Sequence, residues 1–161
     1  VSNSYVSAGE VAATNNSDDV VKTLALGSSV AVIFLDKVQN LAGLLHATLP
    51  DSNINLRQEI DRPGTFVDTG IPKLIELMKA KGYKENGNLT IKLVGGASIL
   101  HPQNMFNIGK RNILAIKNIL HTYNLEVKAE DTGGSISRSV SVECGSGRVS
   151  ITSSGRGIWE I

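Results

Sequence analysis

The sequence predicts an α+β fold in which layered, mixed β-sheets are flanked by helices. Three observations predict it. Short runs rich in Val, Ile and Leu outnumber the helical segments. Only two stretches, around residues 68–82 and 107–123, carry apolar residues at helical spacing. Strand and helix do not alternate strictly, as a doubly wound parallel sheet requires. A chain of 161 residues, 41% hydrophobic and 19% charged, is long enough for one core. No repeat, low-complexity tract or long linker divides it, so residues 1–161 are expected to form a single domain.

Taken in order, the first 40 residues read as strands. Val20 to Leu26 and Ser29 to Leu35 are the clearest runs, separated by a tight break at Gly27-Ser28. Asp36 to Asn40 has turn chemistry, and Leu41 to Leu49 is a third apolar run, interrupted by His46 and ended by Pro50-Asp51-Ser52. Residues 51–65 are polar and aperiodic, a loop pattern. Ile71, Leu74, Ile75 and Met78 recur at helical spacing; Pro72 is expected in the first turn, and Gly82 as a left-handed cap. Leu89 to Val94 alternates as a strand and runs into Gly95-Gly96, where another backbone or a ligand could come close. The second helix has the face Ile108, Ile113, Ile116, Leu120 and Tyr123, with Asn124 as its left-handed stop. Leu125 to Ala129, Arg138 to Cys144 and Arg148 to Ser153 read as strands, the last two joined in a hairpin by Gly145-Ser146-Gly147.

Charge and composition narrow the function classes. A net charge of +1 provides no electrostatic footprint for nucleic acid or for an anionic membrane surface. The longest apolar run, Val30 to Leu35, has strand length, so no membrane insertion is expected. The single cysteine, Cys144, can form neither an internal disulfide nor a thiolate zinc site alone, and with no secretion signal the expected compartment is the cytoplasm. No histidines and carboxylates share ligand spacing on one element, so neither a metal nor a cofactor is expected.

Three constellations could carry chemistry. Two Asp-Thr-Gly triplets, Asp68-Thr69-Gly70 and Asp131-Thr132-Gly133, invite an aspartic protease reading. That chemistry needs each triplet on a loop after an apolar strand in matching halves, whereas here the first leads into a helix. A helix start at Asp68 and a turn at Asp131 are the plainer roles. Cys144 could pair with His46, His101 or His121 as a cysteine hydrolase, but beside Gly145 at a hairpin end it reads as a small apolar filler. His46 differs, since it interrupts an apolar strand just before a turn. Upstream, Leu26-Gly27-Ser28-Ser29-Val30 places a hydroxyl at a sharp strand junction where backbone N–H groups can converge as an oxyanion hole. A structural histidine and a simple connecting turn are the alternatives.

Five segments, in order, resemble the chemoreceptor glutamine deamidases, the CheD family. They are residues 23–32 (Thr-Leu-Ala-Leu-Gly-Ser-Ser-Val-Ala-Val), 46–52 (His-Ala-Thr-Leu-Pro-Asp-Ser), Gly95-Gly96-Ala97, 107–112 (Asn-Ile-Gly-Lys-Arg-Asn), and 129–134 with Arg138-Ser139-Val140. Each is weak alone, but their order and spacing are specific, and both Asp-Thr-Gly triplets find a place in the pattern. The resemblance implies a layered fold like that of toxin deamidases and an amidohydrolase that converts receptor glutamines to glutamates, in some cases also cleaving receptor methyl esters. It implies chemoreceptor helices and the phosphatase CheC as partners, with Phe106 beside the second helix as either an interface anchor or a core residue. The family's cysteine nucleophile is activated by a histidine that a threonine orients. Position by position these are Ser29, His46 and Thr23.

Ser29 is therefore a departure from the family pattern. An imidazolium can lower a thiol's pKa by units from about 8.5, whereas a serine hydroxyl needs its proton removed during attack. Weak or lost activity is expected. A deliberately silenced enzyme and a natural homologue without the chemistry would both carry this residue, and the second would serve as a non-catalytic module binding receptors or CheC.

Overall fold

Every position of one strand, Val30–Asp36, is buried, which explains why its sequence is continuously apolar and does not alternate. This strand, β4, lies in the middle of a three-layer arrangement. The computed structural model describes residues 2–54, 62–85, 88–99 and 107–161. Their strands are β1 (Ser2–Tyr5), β2 (Val11–Thr14), β3 (Asp19–Leu26), β4, β5 (Leu41–Ala47), β6 (Leu89–Gly95), β7 (Ala129–Thr132), β8 (Arg138–Glu143), β9 (Val149–Ser153) and β10 (Gly157–Glu160). Helices α1 (Val67–Ala80) and α2 (Ile108–Thr122) flank them, and single 3-10 turns occupy Ser52–Ile54 and Pro63–Thr65.

The strands form two five-stranded sheets, ordered β1-β3-β8-β9-β10 and β2-β5-β4-β6-β7. Both are mixed: β1 runs parallel to β3 and β7 parallel to β6, and every other pair is antiparallel. This is the α+β layering expected from the sequence. Alternation along β4 and β5 sorts their side chains between two cores. Val30, Val32, Phe34, Leu41, Leu45 and Ala47 pack with α1 and α2 residues such as Ile71, Leu74 and Ile116. Ala31, Ile33, Leu35, Ala42 and Leu44 pack against Val21, Val140, Val142 and Ile151 of the other sheet.

Several elements lie where the sequence places them. The turn after β4 is held by Asp36, whose carboxylate accepts from the N–H groups of Val38 and Gln39 at 3.1 Å. Asn107 caps α2 by accepting from the Lys110 N–H, and Gly82 and Asn124 both have positive φ after the helices, at 113° and 59°. Gly95 and Gly96 do allow close approach. A Cβ on Gly95 would lie 2.3 Å from the Ser29 carbonyl oxygen, and one on Gly96 would strike Ile113 of α2.

Other expectations are corrected. Pro72 is the sixth residue of α1 rather than part of its first turn, since the helix begins at Val67, beside the Asp68 start. Leu125 to Lys128 is not strand; the parallel ladder with β6 begins at Ala129, and Leu125 and Val127 lean on the helix-side core. Asp131 stands inside β7, and the turn falls at Gly133-Gly134, both with positive φ. Tyr123 is 44% exposed and does not join the buried face of α2. The loop expected over residues 51–65 contains the two 3-10 turns, while residues 55–61, His101 and Phe106 lie outside the described residues.

Gly95 yields a stability prediction. Its φ of 116° is strained for any L side chain, and an added methyl would collide with backbone. Gly155, at φ 73° with nothing within 4 Å of such a methyl, isolates the conformational part. Gly155→Ala should cost about 1 kcal/mol, roughly 2–4 °C in Tm. Gly95→Ala should lower Tm by at least twice as much in the same thermal melts; equal shifts would show that the Ser29 carbonyl yields freely.

Candidate functional site

His46 is the polar member of the β5 face that looks toward the β1-β3-β8-β9-β10 sheet. Its register partner is Ala31, which belongs to the core between the sheets. From that other sheet, Thr23 of β3 reaches across, and its Oγ1 lies 2.7 Å from His46 Nδ1. Thr23 is 1% exposed and His46 5% exposed. The direction of this bond follows from a second one. Thr23 Oγ1 also lies 2.6 Å from the carbonyl oxygen of Val6, which can only accept. The single hydroxyl proton is spent on Val6, so Oγ1 accepts from Nδ1–H. His46 is thereby fixed as the Nδ1–H tautomer, with its lone pair on Nε2.

Ser29 ends the turn between β3 and β4. It is half-buried and directly precedes Val30, whose partner in β5 is Ala47. Two residues before Ala31, it has the parity of the strand face that carries His46, one diagonal step away in the ladder. The approach to this turn is irregular. The β3–β8 register shifts between Thr23 and Leu26, with Ala25 at φ 57° and its N–H donating to Ser139 Oγ. That bulge keeps Thr23 and Leu26 buried while Leu24 is turned outward, 55% exposed. The far side of the turn is tied to the glycine pair: Gly96 N–H donates to Ser29 O and Ala97 N–H to Gly27 O, both at 2.8 Å. Among the described residues, the N–H groups of Ser28 and Ser29 donate to no backbone carbonyl.

The electrostatics suit a base. Burial lowers the His46 pKa below the ordinary 6.5, so the imidazole is neutral at pH 7. Cys144 is the opposite case. Burial, and then Asp19, push its thiol up; its Sγ donates to the Asn40 carbonyl oxygen at 3.1 Å. It also sits four residues along the chain from Val140, the β8 partner of Thr23, or about 13 Å at strand rise. Cys144 is thus an inert filler remote from Thr23. His121 is exposed on the last turn of α2.

The two Asp-Thr-Gly triplets hold structure together in separate places. Asp68 accepts from Ser52 N–H at 3.0 Å and Ser52 Oγ at 2.8 Å, fastening the segment after β5 to α1. Asp131, on the opposite edge strand, accepts from Arg138 Nε at 2.8 Å and Trp159 Nε1 at 2.6 Å, bridging the two sheets. Among the described residues, no three His, Cys, Asp or Glu side chains are grouped to hold a metal ion. No described helix is long and apolar enough to cross a membrane.

Two participants are not singled out by the sequence reading. The Val6 carbonyl carries no side-chain signal. Asn112 does: it lies four residues from both Ile108 and Ile116, a polar residue on an apolar stripe, and it is fully buried. Its Nδ2 donates to Ser28 O and to Thr48 O, each at 3.0 Å, so it links the turn before Ser29 to the residue after β5.

A neutral imidazole oriented by a hydroxyl, with its lone pair on Nε2, is able to take a proton from a hydroxyl or thiol, the chemistry that opens acyl transfer. Known proteins supply the family. The sequence model for CheD chemotactic sensory transduction matches residues 48–153. A probable chemoreceptor glutamine deamidase CheD of Syntrophotalea carbinolica is 40% identical over 154 residues, covering 95% of each chain. A second from Syntrophus aciditrophicus is 37% identical over 97% of each. The chemoreceptor glutamine deamidase CheD of Thermotoga maritima is 38% identical over 92% of this chain and 90% of its own. The chain belongs to the CheD family. The matched model begins after Thr23, Ser29 and His46, whereas the similarity to the first two relatives runs over nearly the whole chain.

The burial of His46 has a consequence for pH. A histidine kept neutral in the fold binds its proton less readily than in the unfolded chain, so stability is complete above about pH 6.5 and falls as pH drops below it. Urea unfolding at pH 7.5 and 5 should show this loss, and His46→Gln should flatten it. Nitrogen-15 NMR at pH 7.5 should find Nδ1 protonated and Nε2 bare; the reverse pattern would refute the assignment.

Proposed function

We propose that this chain is built as a chemoreceptor glutamine deamidase, a protein-glutamine amidohydrolase of chemotaxis adaptation, with Ser29 in the nucleophile position, His46 as general base and acid, and Thr23 as the residue that orients His46. The observation that carries the reading is the direction of the Thr23–His46 bond, which puts the lone pair of the neutral imidazole on Nε2. In the cysteine form of such a site, Nε2 takes the thiol proton and the thiolate attacks the glutamine carbonyl. His46 then protonates the departing ammonia, and the thioester is hydrolysed by a water that His46 activates. Serine cannot hold a standing anion at neutral pH, so the present chain is weakly active or silent. The substrates are glutamine side chains on chemoreceptor cytoplasmic helices, with receptor methyl esters as a second class, and CheC is the expected protein partner. We place the chain in the cytoplasm, acting as one CheD-like unit over residues 1–161 without a cofactor or metal.

The test is ammonia release from receptor fragments by this chain and its Ser29→Cys variant side by side. The variant should be at least 10²-fold faster, equivalent to about 2.7 kcal/mol of barrier. His46→Ala in that background should abolish the gain, and Cys144→Ser should preserve it. If the Ser29→Cys protein releases no ammonia from a fragment that it binds, the chain is a binding module for receptors or CheC.

A further inference from the structure

Asn112 lies outside the proposed Thr23–His46–Ser29 set, yet it is fully buried and holds the turn from the helix side. Both Nδ2 protons are committed, one to Ser28 O and one to Thr48 O. The orientation of its amide is unambiguous, because the flipped form would aim Oδ1 at two carbonyl oxygens. Oδ1 itself, also buried, accepts from no described residue, so the side chain is held by its donor end alone.

The Ser28 carbonyl belongs to the same peptide unit as the Ser29 N–H. That peptide is trans, as are all the described peptide bonds, and in a trans peptide the C=O and N–H point in opposite directions. Pulling Ser28 O toward α2 therefore turns the Ser29 N–H away from the helix layer, toward the face of β4 and β5 that carries His46. Among the described residues no backbone carbonyl claims that N–H. On the other side of Ser29, the carbonyl is pinned by Gly96 N–H at 2.8 Å, so residue 29 is fixed at both of its peptides. The second Nδ2 bond, to Thr48, fixes this arrangement relative to β5, two residues beyond His46.

We propose that Asn112 is a positioning residue that aims the Ser29 N–H as an oxyanion donor, toward the carbonyl oxygen of an amide or ester attacked at residue 29. The proposal rests on Ser29 occupying the nucleophile position. An N–H preset where charge develops stabilises the tetrahedral oxyanion and contributes little to ground-state binding. Loss of Asn112 should thus act on kcat far more than on KM.

The experiment compares the Ser29→Cys protein with Ser29→Cys/Asn112→Ala in two reactions of the introduced thiol. Acylation by p-nitrophenyl acetate passes through a tetrahedral oxyanion and needs the donor; alkylation by iodoacetamide is a direct displacement and does not. Acylation should fall at least tenfold while alkylation stays within twofold. On receptor fragments, kcat for ammonia release should drop about 10²-fold with KM within threefold. Asn112→Leu, which fills the volume and removes the orphan Oδ1, serves as the second variant should the alanine protein not fold. Equal losses in acylation and alkylation would reduce Asn112 to a structural clamp, and unchanged acylation would remove it from the site; either overturns the proposal. Because the ester and alkylation assays need no receptor, a Ser29→Cys protein inactive on receptor glutamine overturns the deamidase reading while the role of Asn112 is still decided.

Discussion

Thr23 belongs to one sheet and His46 to the other, so their 2.7 Å hydrogen bond exists only when the two sheets are packed in register. The tautomer of the imidazole is therefore a property of the tertiary fold rather than of any local segment. A further link is needed to define it. The Val6 carbonyl, which takes the threonine proton, comes from the crossover between β1 and β2, where the chain passes from one sheet to the other. Val6 is itself anchored, its N–H donating to Lys22 O at 2.8 Å. Three segments distant in sequence thus settle the position of one proton.

The Ser29 turn is fixed from other directions. Gly96 and Ala97 secure it along the sheet, and Asn112 secures it from the helix layer. Absence of a Cβ at Gly95 is what lets β6 end against the Ser29 carbonyl. The base is thus oriented by the sheet facing it, and the turn by the helices behind. Relative movement of the layers would break the Thr23–His46 bond between the sheets or the Asn112 bonds from the helix layer, which gives the thick apolar cores on both faces of β4 a direct bearing on how His46 and the turn are held.

Where side-chain pattern alone decides structure, the sequence is informative. The unbroken apolar run of β4 and the left-handed stops Gly82 and Asn124 lie as read, because burial and positive φ leave a compositional mark. Elements set by their neighbours leave none. Strand β10, with no strand expected at its position, is mostly exposed and exists as an edge paired to β9. Leu125 and Val127 look like strand residues, yet they pack against the helix-side core before any ladder begins. The start of α1 at Val67, by contrast, lies within one residue of the Asp68 start that the sequence predicts. At the site, the family pattern points to Thr23, Ser29 and His46. The Val6 carbonyl is invisible in sequence, whereas Asn112 is legible as an amide interrupting an apolar helix stripe.

The hydrogen-bond chain that orients His46 runs from Val6 through Thr23 to His46 Nδ1, and none of its members uses the side chain of residue 29. The bonds that hold the turn use backbone atoms of residues 27, 28 and 29. Orientation of His46 and placement of the turn are consequently independent of whether that position bears oxygen or sulfur. On the proposed reading, a serine at position 29 replaces the low-pKa nucleophile without touching any bond that orients His46 or holds the turn, so the fold and these hydrogen bonds persist. With residue 29 in the proposed nucleophile position, this separation explains how the framework around it can hold a hydroxyl as well as a thiol.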